Sequence, residues 1–169
     1  MAVQLVKPRE ETEVELHFSY SQLNTYLICP MKYYFQYVVG VDWETKPVAL
    51  ISGKAIHKAA ETYYVNLKEN GEIIPVEQMI TVFVSVMDNE VKKTEVEITY
   101  KEGENLGTIR DQGIAFIKLF HAEINPQKIV AVEFPFKVKV PDIINGNGNL
   151  PIKLIGYFDL IESDSQNTY

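Results

Sequence analysis

The chain has 169 residues, the size of one folded domain with a buried core. Hydrophobic residues make up 46% of it and charged residues 23%, which excludes an intrinsically disordered protein. No apolar run approaches the ~18 residues of a membrane span, and the first residues lack the apolar stretch of a secretory signal. A single cysteine excludes an internal disulfide. We therefore expect a reducing, cytoplasmic location and no membrane partner.

The net charge of −7 argues against a simple binder of polyanions. The charge is uneven, because residues 21–68 carry five lysines against three acidic residues, a balance of +2 that leaves −9 for the remaining segments. An acidic average therefore conceals a locally basic segment. Within it, Lys32, Lys54 and Lys58 are candidates for contacts with nucleic-acid phosphates.

Two short helices are predicted near the start of the chain. Residues 1–17 are polar and read as a mobile lead-in. The pattern Ser-x-x-Gln at residues 19–22 is typical of a capping box, so a helix is expected over 20–28. Pro30 ends it and opens a second, aromatic helix over 31–39.

Three longer helices are predicted after a loop over 41–52. Apolar residues recur every three or four positions over 54–68, 75–92 and 105–124, which is typical of helices with one buried face. The last of them is expected to bury Leu106, Ile109, Gly113, Phe116, Ile117 and Phe120.

The hydrophobic period then changes to two. Apolar residues occupy the even positions of 128–140, which predicts a strand whose even face is buried, and a second strand is predicted over 151–162. The turn over 141–149 is rich in Asn and Gly, so the two strands are expected to form an antiparallel hairpin. Since two strands make a marginal sheet, we expect the outer edge of 151–162 to be open and to pair with a second copy.

Four features of the sequence could carry chemistry, and each has an ordinary structural explanation. Cys29 suits a small buried hydrophobe, and His57 suits a core or surface histidine beside an apolar stripe. Glu133 suits the solvated face of its strand. Asp159 suits a partly buried acid that accepts a backbone hydrogen bond. None of the four identifies a site by itself.

Their order along the chain is more informative. The segments SYSQLNTYLICPMKYYFQYVVG, GKAIH, VAVEFPF and LIGYFDLIE, over about residues 18–162, resemble the RecB-like branch of the PD-(D/E)XK nuclease superfamily. This branch includes the nuclease domains of the RecB and AddB helicase–nucleases and the RecB-like exonucleases associated with CRISPR. The short GxxxH and GxxD patterns are unspecific. The Ser-x-Ser opening followed by Cys-Pro-x-Lys-Tyr-Tyr is much more specific.

The resemblance implies an α/β fold with a restriction-endonuclease-like core, in which a helical N-terminal part covers a mixed β-sheet. Residues 18–169 would form the N-terminal portion of one such domain. His57 matches the histidine of the first motif, and Asp159 matches the aspartate of the second. Glu133 stands where an acidic residue of the preceding strand often joins the site. The resemblance thus implies that these three residues are catalytic and bind Mg²⁺ or Mn²⁺.

The third motif of the family, an acidic residue, any residue and then Lys, does not follow Asp159 in these residues. No lysine follows Lys153. We expect the strand that carries this motif to lie after Tyr169, and the 169 residues alone to be inactive or nearly so.

Cys29 has a further interpretation from the same resemblance. In some members, a cysteine at this Cys-Pro position joins three others to hold a [4Fe–4S] cluster, which needs four thiolates. This sequence has one cysteine. The cluster is therefore expected only in a longer parent protein.

The resemblance implies metal-dependent cleavage of DNA, and above all exonucleolytic cleavage of single strands or duplex ends. The processes that it implies are repair, recombination, phage or CRISPR processes. A helicase or recombination protein would be the partner. Two alternatives stay open. One is a RecB-like module that has lost catalysis and binds DNA or acts as a scaffold. The other is a helical α+β interaction domain with no site. The choice between DNA and RNA, the polarity of digestion and the oligomeric state are not determined by the sequence.

Overall fold

A computed structural model describes residues 16–142, 144, 146 and 148–163. Most of the lead-in expected over 1–17 lies outside the described residues, and Leu16 and His17 belong to the first strand. In chain order the elements are β1 (Leu16–Ser19), α1 (Tyr20–Ile28), α2 (Pro30–Tyr33), a π-helical segment (Tyr34–Val39), β2 (Thr45–Pro47), α3 (Val48–Asn70), α4 (Val76–Lys93), β3 (Glu97–Thr99), α5 (Leu106–Glu123), β4 (Lys128–Pro141) and β5 (Asn149–Ser163).

The described elements form an α/β architecture with a mixed sheet, as expected from the sequence. The helix over 20–28 is found at its expected bounds, with Ser19 and Gln22 forming the capping box. The helix expected over 31–39 is instead one α-helical turn followed by the π-helical segment. The rings of Tyr33 contact those of Tyr26 and Tyr37 there.

The prediction of a loop over 41–52 is wrong for its second half, which is helical from Val48 onward. Helix α3 begins at Val48 because Val48, Ile51 and Ala55 continue its apolar stripe toward the N-terminus and are buried. Gly53 therefore lies inside a helix. The parallel pair of β2 and β3 was not predicted, since strands of three residues are too short to show a hydrophobic period.

The chain divides into two compact units, Met1–Val38 with Pro135–Gly156, and Val39–Phe134 with Tyr157–Tyr169. In the described part of the first unit, β1 pairs in parallel with β5, from Leu16 opposite Ile152 to Ser19 opposite Ile155. The open edge expected on strand 151–162 is thus wrong for Ile152–Ile155. The strand that covers it comes from the start of the chain, about 130 residues away in sequence.

Strands β4 and β5 are neighbours in the order β1-β5-β4. They run antiparallel, because Asp142 N–H donates to the Gly148 carbonyl at one end and Gln127 N–H donates to the Glu162 carboxylate at the other. The hairpin expected from the sequence is therefore present.

The main core lies in the second unit, between α3, α4 and α5. Its fully buried large side chains are Ile51, Tyr63, Met79, Phe83, Met87 and Ile117. Helices α4 and α5 approach closely at Gly113, where a Cβ atom would overlap the ring of Phe83. Phe116, expected to be buried, is 49% exposed. None of the described helices is long and apolar enough to cross a membrane.

The face of β4 that packs on this core is only partly the expected one. Val132, on the even side, packs against the core, whereas Val130 and Phe134 on the same side are exposed. On the odd side, Ile129 packs against the core and Ala131 is buried. Residues 129–132 are apolar at every position, so the alternation does not distinguish the two faces there.

Candidate metal centre

Three elements of the second unit bring His57, Glu133 and Asp159 together. His57 lies on α3, one turn after Gly53, and its side chain is 46% exposed. Glu133 lies on β4 and Asp159 on the neighbouring strand β5. Because adjacent strands are only about 5 Å apart, two acidic residues on them can share one site.

The polar atoms of the three side chains are close enough to act on one ion. Nε2 of His57 and Oε1 of Glu133 are hydrogen-bonded at 2.7 Å. One ligand atom of each residue, including Asp159, lies within 4.8 Å of the others. The convergence expected from the sequence is therefore present. The role of these residues as ligands stays a prediction.

Glu133 has an unusual backbone. Its φ angle is 50°, in the left-handed region, and it is the one non-glycine residue with positive φ among the described residues. This conformation costs a residue with a Cβ atom about 1–2 kcal/mol and is rare within strands. It places the Glu133 carboxylate against His57 at a point where a regular strand would continue its pleat.

The three residues line a small cleft of about 50 Å³ together with Ala60, Glu61, Tyr64 and Leu160. A cavity needs about 10–15 Å³ for each water that it holds, so the cleft has room for a cation and a few waters. Burial and the nearby charge of Glu162 raise the pKa of Tyr64.

The donor set suits a divalent cation. Two carboxylates and one imidazole are ligands for Mg²⁺ or Mn²⁺, and Mn²⁺ accepts the imidazole more readily. Ligands at ~2.0–2.2 Å from one cation lie at most about 4.4 Å apart. The observed limit of 4.8 Å is therefore close to the spacing of ligand atoms around one cation. Side-chain movements of a few tenths of an ångström would bring the three atoms to that spacing.

The lysines expected to contact phosphates have acidic partners in the second unit. Nζ of Lys54 donates to Oε1 of Glu90 at 2.7 Å, and Nζ of Lys58 donates to Oε1 of Glu61 at 2.6 Å. Both lysines are largely exposed, and exposed ion pairs are weak enough for a phosphate to compete. Lys32 belongs to the first unit, at the last turn of α2.

Glu61 was not recognised as a site residue in the sequence. It lines the small cleft, and its carboxylate forms an ion pair with Lys58. The signal was its position four residues after His57, which places both on one face of α3. Charged residues at this spacing are common on helix surfaces, so the signal is weak.

Cys29 lies between α1 and α2, where its Sγ accepts a hydrogen bond from the backbone N–H of Lys32 at 3.4 Å. Its observed role is thus that of a helix cap. Within the part of the chain that the structure describes, the one group of three or more potential metal ligands is His57, Glu133 and Asp159, so Cys29 joins none. The iron–sulfur interpretation stays a prediction.

Comparison with known families adds an independent observation. A family model described as the PD-(D/E)XK nuclease superfamily matches residues 17–169. No curated protein and no solved structure matches the chain. The match shows the superfamily of the chain and assigns no role to a single residue.

Proposed function

The chain belongs to the PD-(D/E)XK nuclease superfamily, and we propose that it contributes the cation-binding part of a DNA phosphodiesterase active site. Members of this superfamily are generally nucleases and typically use Mg²⁺ or Mn²⁺. The α/β architecture with its mixed sheet is consistent with a restriction-endonuclease-like fold.

The observation that carries the proposal is the convergence of His57, Glu133 and Asp159 in one cleft. They come from a helix and two strands, far apart in sequence. By the sequence resemblance, His57 and Asp159 correspond to motif positions of the family, and Glu133 stands where an acidic residue of the preceding strand often joins the site. A surface ion pair of His57 and Glu133 alone would not explain why a third potential ligand, Asp159, lies beside them.

The residues have separate roles in the proposed site. A bound divalent cation supplies a Lewis acid for phosphodiester hydrolysis. Asp159 and Glu133 provide the negative oxygens that hold it, and Glu133 also orients the imidazole of His57 through their hydrogen bond. Tyr64 lines the same cleft, and its phenolic O–H is a potential hydrogen-bond donor.

The finer assignment rests on the sequence resemblance. We assign the chain to the RecB-like branch, with exonuclease activity on single strands or duplex ends in repair, recombination, phage or CRISPR processes, and with a helicase as the expected partner. Lys32, Lys54 and Lys58 would contact the phosphates. The single cysteine supports a reducing, cytoplasmic location. A [4Fe–4S] cluster at Cys29 would need three further cysteines, which these 169 residues do not contain.

Manganese binding tests the proposal. The loss of the free Mn²⁺ signal in electron paramagnetic resonance, titrated with the 169-residue protein, should show one site. The change Asp159→Asn keeps the shape of the side chain but removes its charge, and we expect it to weaken binding by at least about tenfold.

A matched control is Glu69→Gln. Glu69 is an exposed acid on the same helix as His57, twelve residues or about 18 Å further along its axis. It should bind Mn²⁺ like the unchanged protein. Equal binding by Asp159→Asn and Glu69→Gln, both folded by circular dichroism, would contradict the proposed site.

The alternative function is a non-catalytic RecB-like module that binds DNA or acts as a scaffold. Such a module would bind single-stranded DNA to the same extent with and without Mn²⁺. Fluorescence anisotropy in Mn²⁺ and in EDTA separates the two functions, since the proposed nuclease site requires metal-dependent binding that Asp159→Asn removes.

A further inference from the structure

A second, larger cleft lies next to the small one and is also lined by His57. Its volume is about 270 Å³. It is lined by Gly53, Ile56, His57, Ala60, Met79, Phe116, Ile117 and Phe120, all in the second unit. His57 also lines the small cleft with Glu133 and Asp159, so the two clefts share this side chain.

The walls of the larger cleft are apolar and mostly fixed. Met79 and Ile117 are fully buried in the helical core. The ring of Phe120 is held edge-to-face by Tyr63 and Tyr64. Phe116 is different, because its ring is half exposed at the rim although the helix pattern predicted it to be buried.

Gly53 leaves the cleft open at the N-terminal side of His57. A Cβ atom at this position would meet nothing within 4 Å. Glycine inside a helix costs about 0.5–1 kcal/mol relative to alanine, so packing does not explain why this helix position lacks a side chain. Residues four apart share a helix face, which places any larger side chain at position 53 beside the imidazole of His57.

We propose that this cleft receives one unpaired nucleobase of the strand whose phosphate lies at the His57–Glu133–Asp159 cluster, and that Gly53 keeps the entrance open. The inference rests on the proposed function and deepens it. The lining carries no carboxylate, ammonium or guanidinium group, so the uncharged base is the part of a nucleotide that fits it. The half-exposed ring of Phe116 offers a face on which a base stacks.

Two properties of the substrate follow. A volume near the lower end for ligand sites, about 300 Å³, suits a single flat ring system. A base within a duplex is stacked and paired, so the cleft selects single strands or frayed ends. Apart from the His57 ring, the lining has no side-chain polar group to read a base edge, so the cleft accepts all four bases.

The test compares two strands with equal phosphate charge. Binding of a single-stranded oligonucleotide and of an abasic strand of the same length is measured by fluorescence anisotropy in Mn²⁺. The unchanged protein should bind the base-containing strand at least about fivefold more tightly, the lower range for one base stacked on an aromatic ring. Gly53→Leu, which fills the cleft, and Phe116→Ala, which removes the aromatic ring at its rim, should each bring this ratio toward one. Phe116→Ala should do so without weakening binding of the abasic strand.

Leu119→Ala is the matched control. Leu119 is an exposed apolar residue on the same helix as Phe116 and does not line the cleft. It should keep the full preference for the base-containing strand. Thermal melting of each variant verifies folding, and neither Gly53 nor Phe116 belongs to the buried core cluster.

The possible failures are distinguishable. Mn²⁺-dependent binding of both strands with equal affinity would overturn the base cleft and leave the proposed metal site standing. Absence of metal-dependent binding to either strand would overturn the proposed function and this inference with it. Sedimentation at the same concentrations adds one more outcome: a dimer that Gly53→Leu abolishes would assign the cleft to a second copy and overturn the inference.

Discussion

At the scale of single residues, Glu133 combines a strained backbone with a site position. Its φ of 50° is in a region that costs residues with a Cβ atom, and its carboxylate meets Nε2 of His57 at 2.7 Å. Strain of this kind persists where the surrounding structure holds it and is concentrated at functional sites. The hydrogen bond to a half-exposed histidine is too weak to explain it by stability alone.

The strain predicts a reversal of the usual order of two substitutions. Glu133→Gly should be more stable than Glu133→Ala, by about 1 kcal/mol in the free energy of unfolding, because glycine adopts positive φ without cost. Both variants lose the same hydrogen bond, so their difference isolates the backbone. Urea unfolding of the two measures it. An alanine variant that is the more stable one, as at ordinary strand positions, would show that Glu133 is unstrained.

At the scale of the elements, α3 and α4 are joined by ionic contacts at their exposed side. The hydrogen bond from Lys54, with the charges of Lys54 and Lys46, lowers the pKa of Glu90 against the opposing effect of burial. A carboxyl whose pKa is lower in the folded state stabilises the fold above its ordinary pKa, near 4.5, and loses this contribution as the pH falls through the lower folded value.

The stability lost in Lys54→Met should therefore depend on pH. At pH 7 the variant should be less stable than the unchanged protein by up to about 1 kcal/mol, the range for an exposed pair. The difference should shrink as the pH falls below 4.5 and Glu90 becomes protonated. Urea unfolding between pH 3 and 7 measures it, with Lys92→Met as the control on the exposed part of α4. A difference independent of pH would assign the effect of Lys54 to its packing.

The packing of α4 against α5 gives a prediction for two helical glycines. A methyl group at Gly113 would overlap the buried ring of Phe83, whereas one at Gly53 would enter open space. Gly113→Ala should thus lower the free energy of unfolding by about 1–3 kcal/mol, the cost of overpacking a core. Gly53→Ala should raise it by about 0.5–1 kcal/mol through helix propensity. Equal shifts of the melting temperature in the two variants would contradict this prediction, because they would mean that α4 and α5 move apart at Gly113 without a cost in free energy.

At the scale of the whole molecule, the candidate site brings together three potential metal ligands, and these 169 residues do not supply the lysine of the family's third motif. His57, Glu133 and Asp159 converge, and no lysine follows Lys153 in the sequence. In the family, that lysine orients the attacking water or neutralises developing charge. Removing one such electrostatic contribution typically lowers kcat about 10²–10³-fold.

The 169-residue protein should consequently bind Mn²⁺ without hydrolysing DNA at a useful rate. Incubation of end-labelled single-stranded DNA with the protein in Mg²⁺ or Mn²⁺ should leave the strand intact. An Asp159→Asn preparation purified in parallel controls for contaminating nucleases. Degradation that is present in the unchanged protein and absent from Asp159→Asn would refute the prediction and show that another group replaces the lysine.

The sequence by itself determined the elements with strong periodicity and the residues with a family pattern. Helices α1, α4 and α5 and the two long strands were predicted within a few residues, because amphipathic periods of 3.6 and 2 are local properties. His57, Glu133 and Asp159 were identified by their order in the motifs. The family match confirms the superfamily. The RecB-like branch and the roles of the three residues stay predictions.

The tertiary structure alone decided which surfaces these elements use. The pairing of β1 with β5, the choice of the β4 residues that pack on the core and the partner of Lys54 each depend on residues far apart in the chain. The same holds for the exposed ring of Phe116 and the left-handed φ of Glu133. Local patterns state that a segment has an apolar face. Which face is buried, and against what, is a property of the packed neighbours, since burial is a free-energy gain shared between elements.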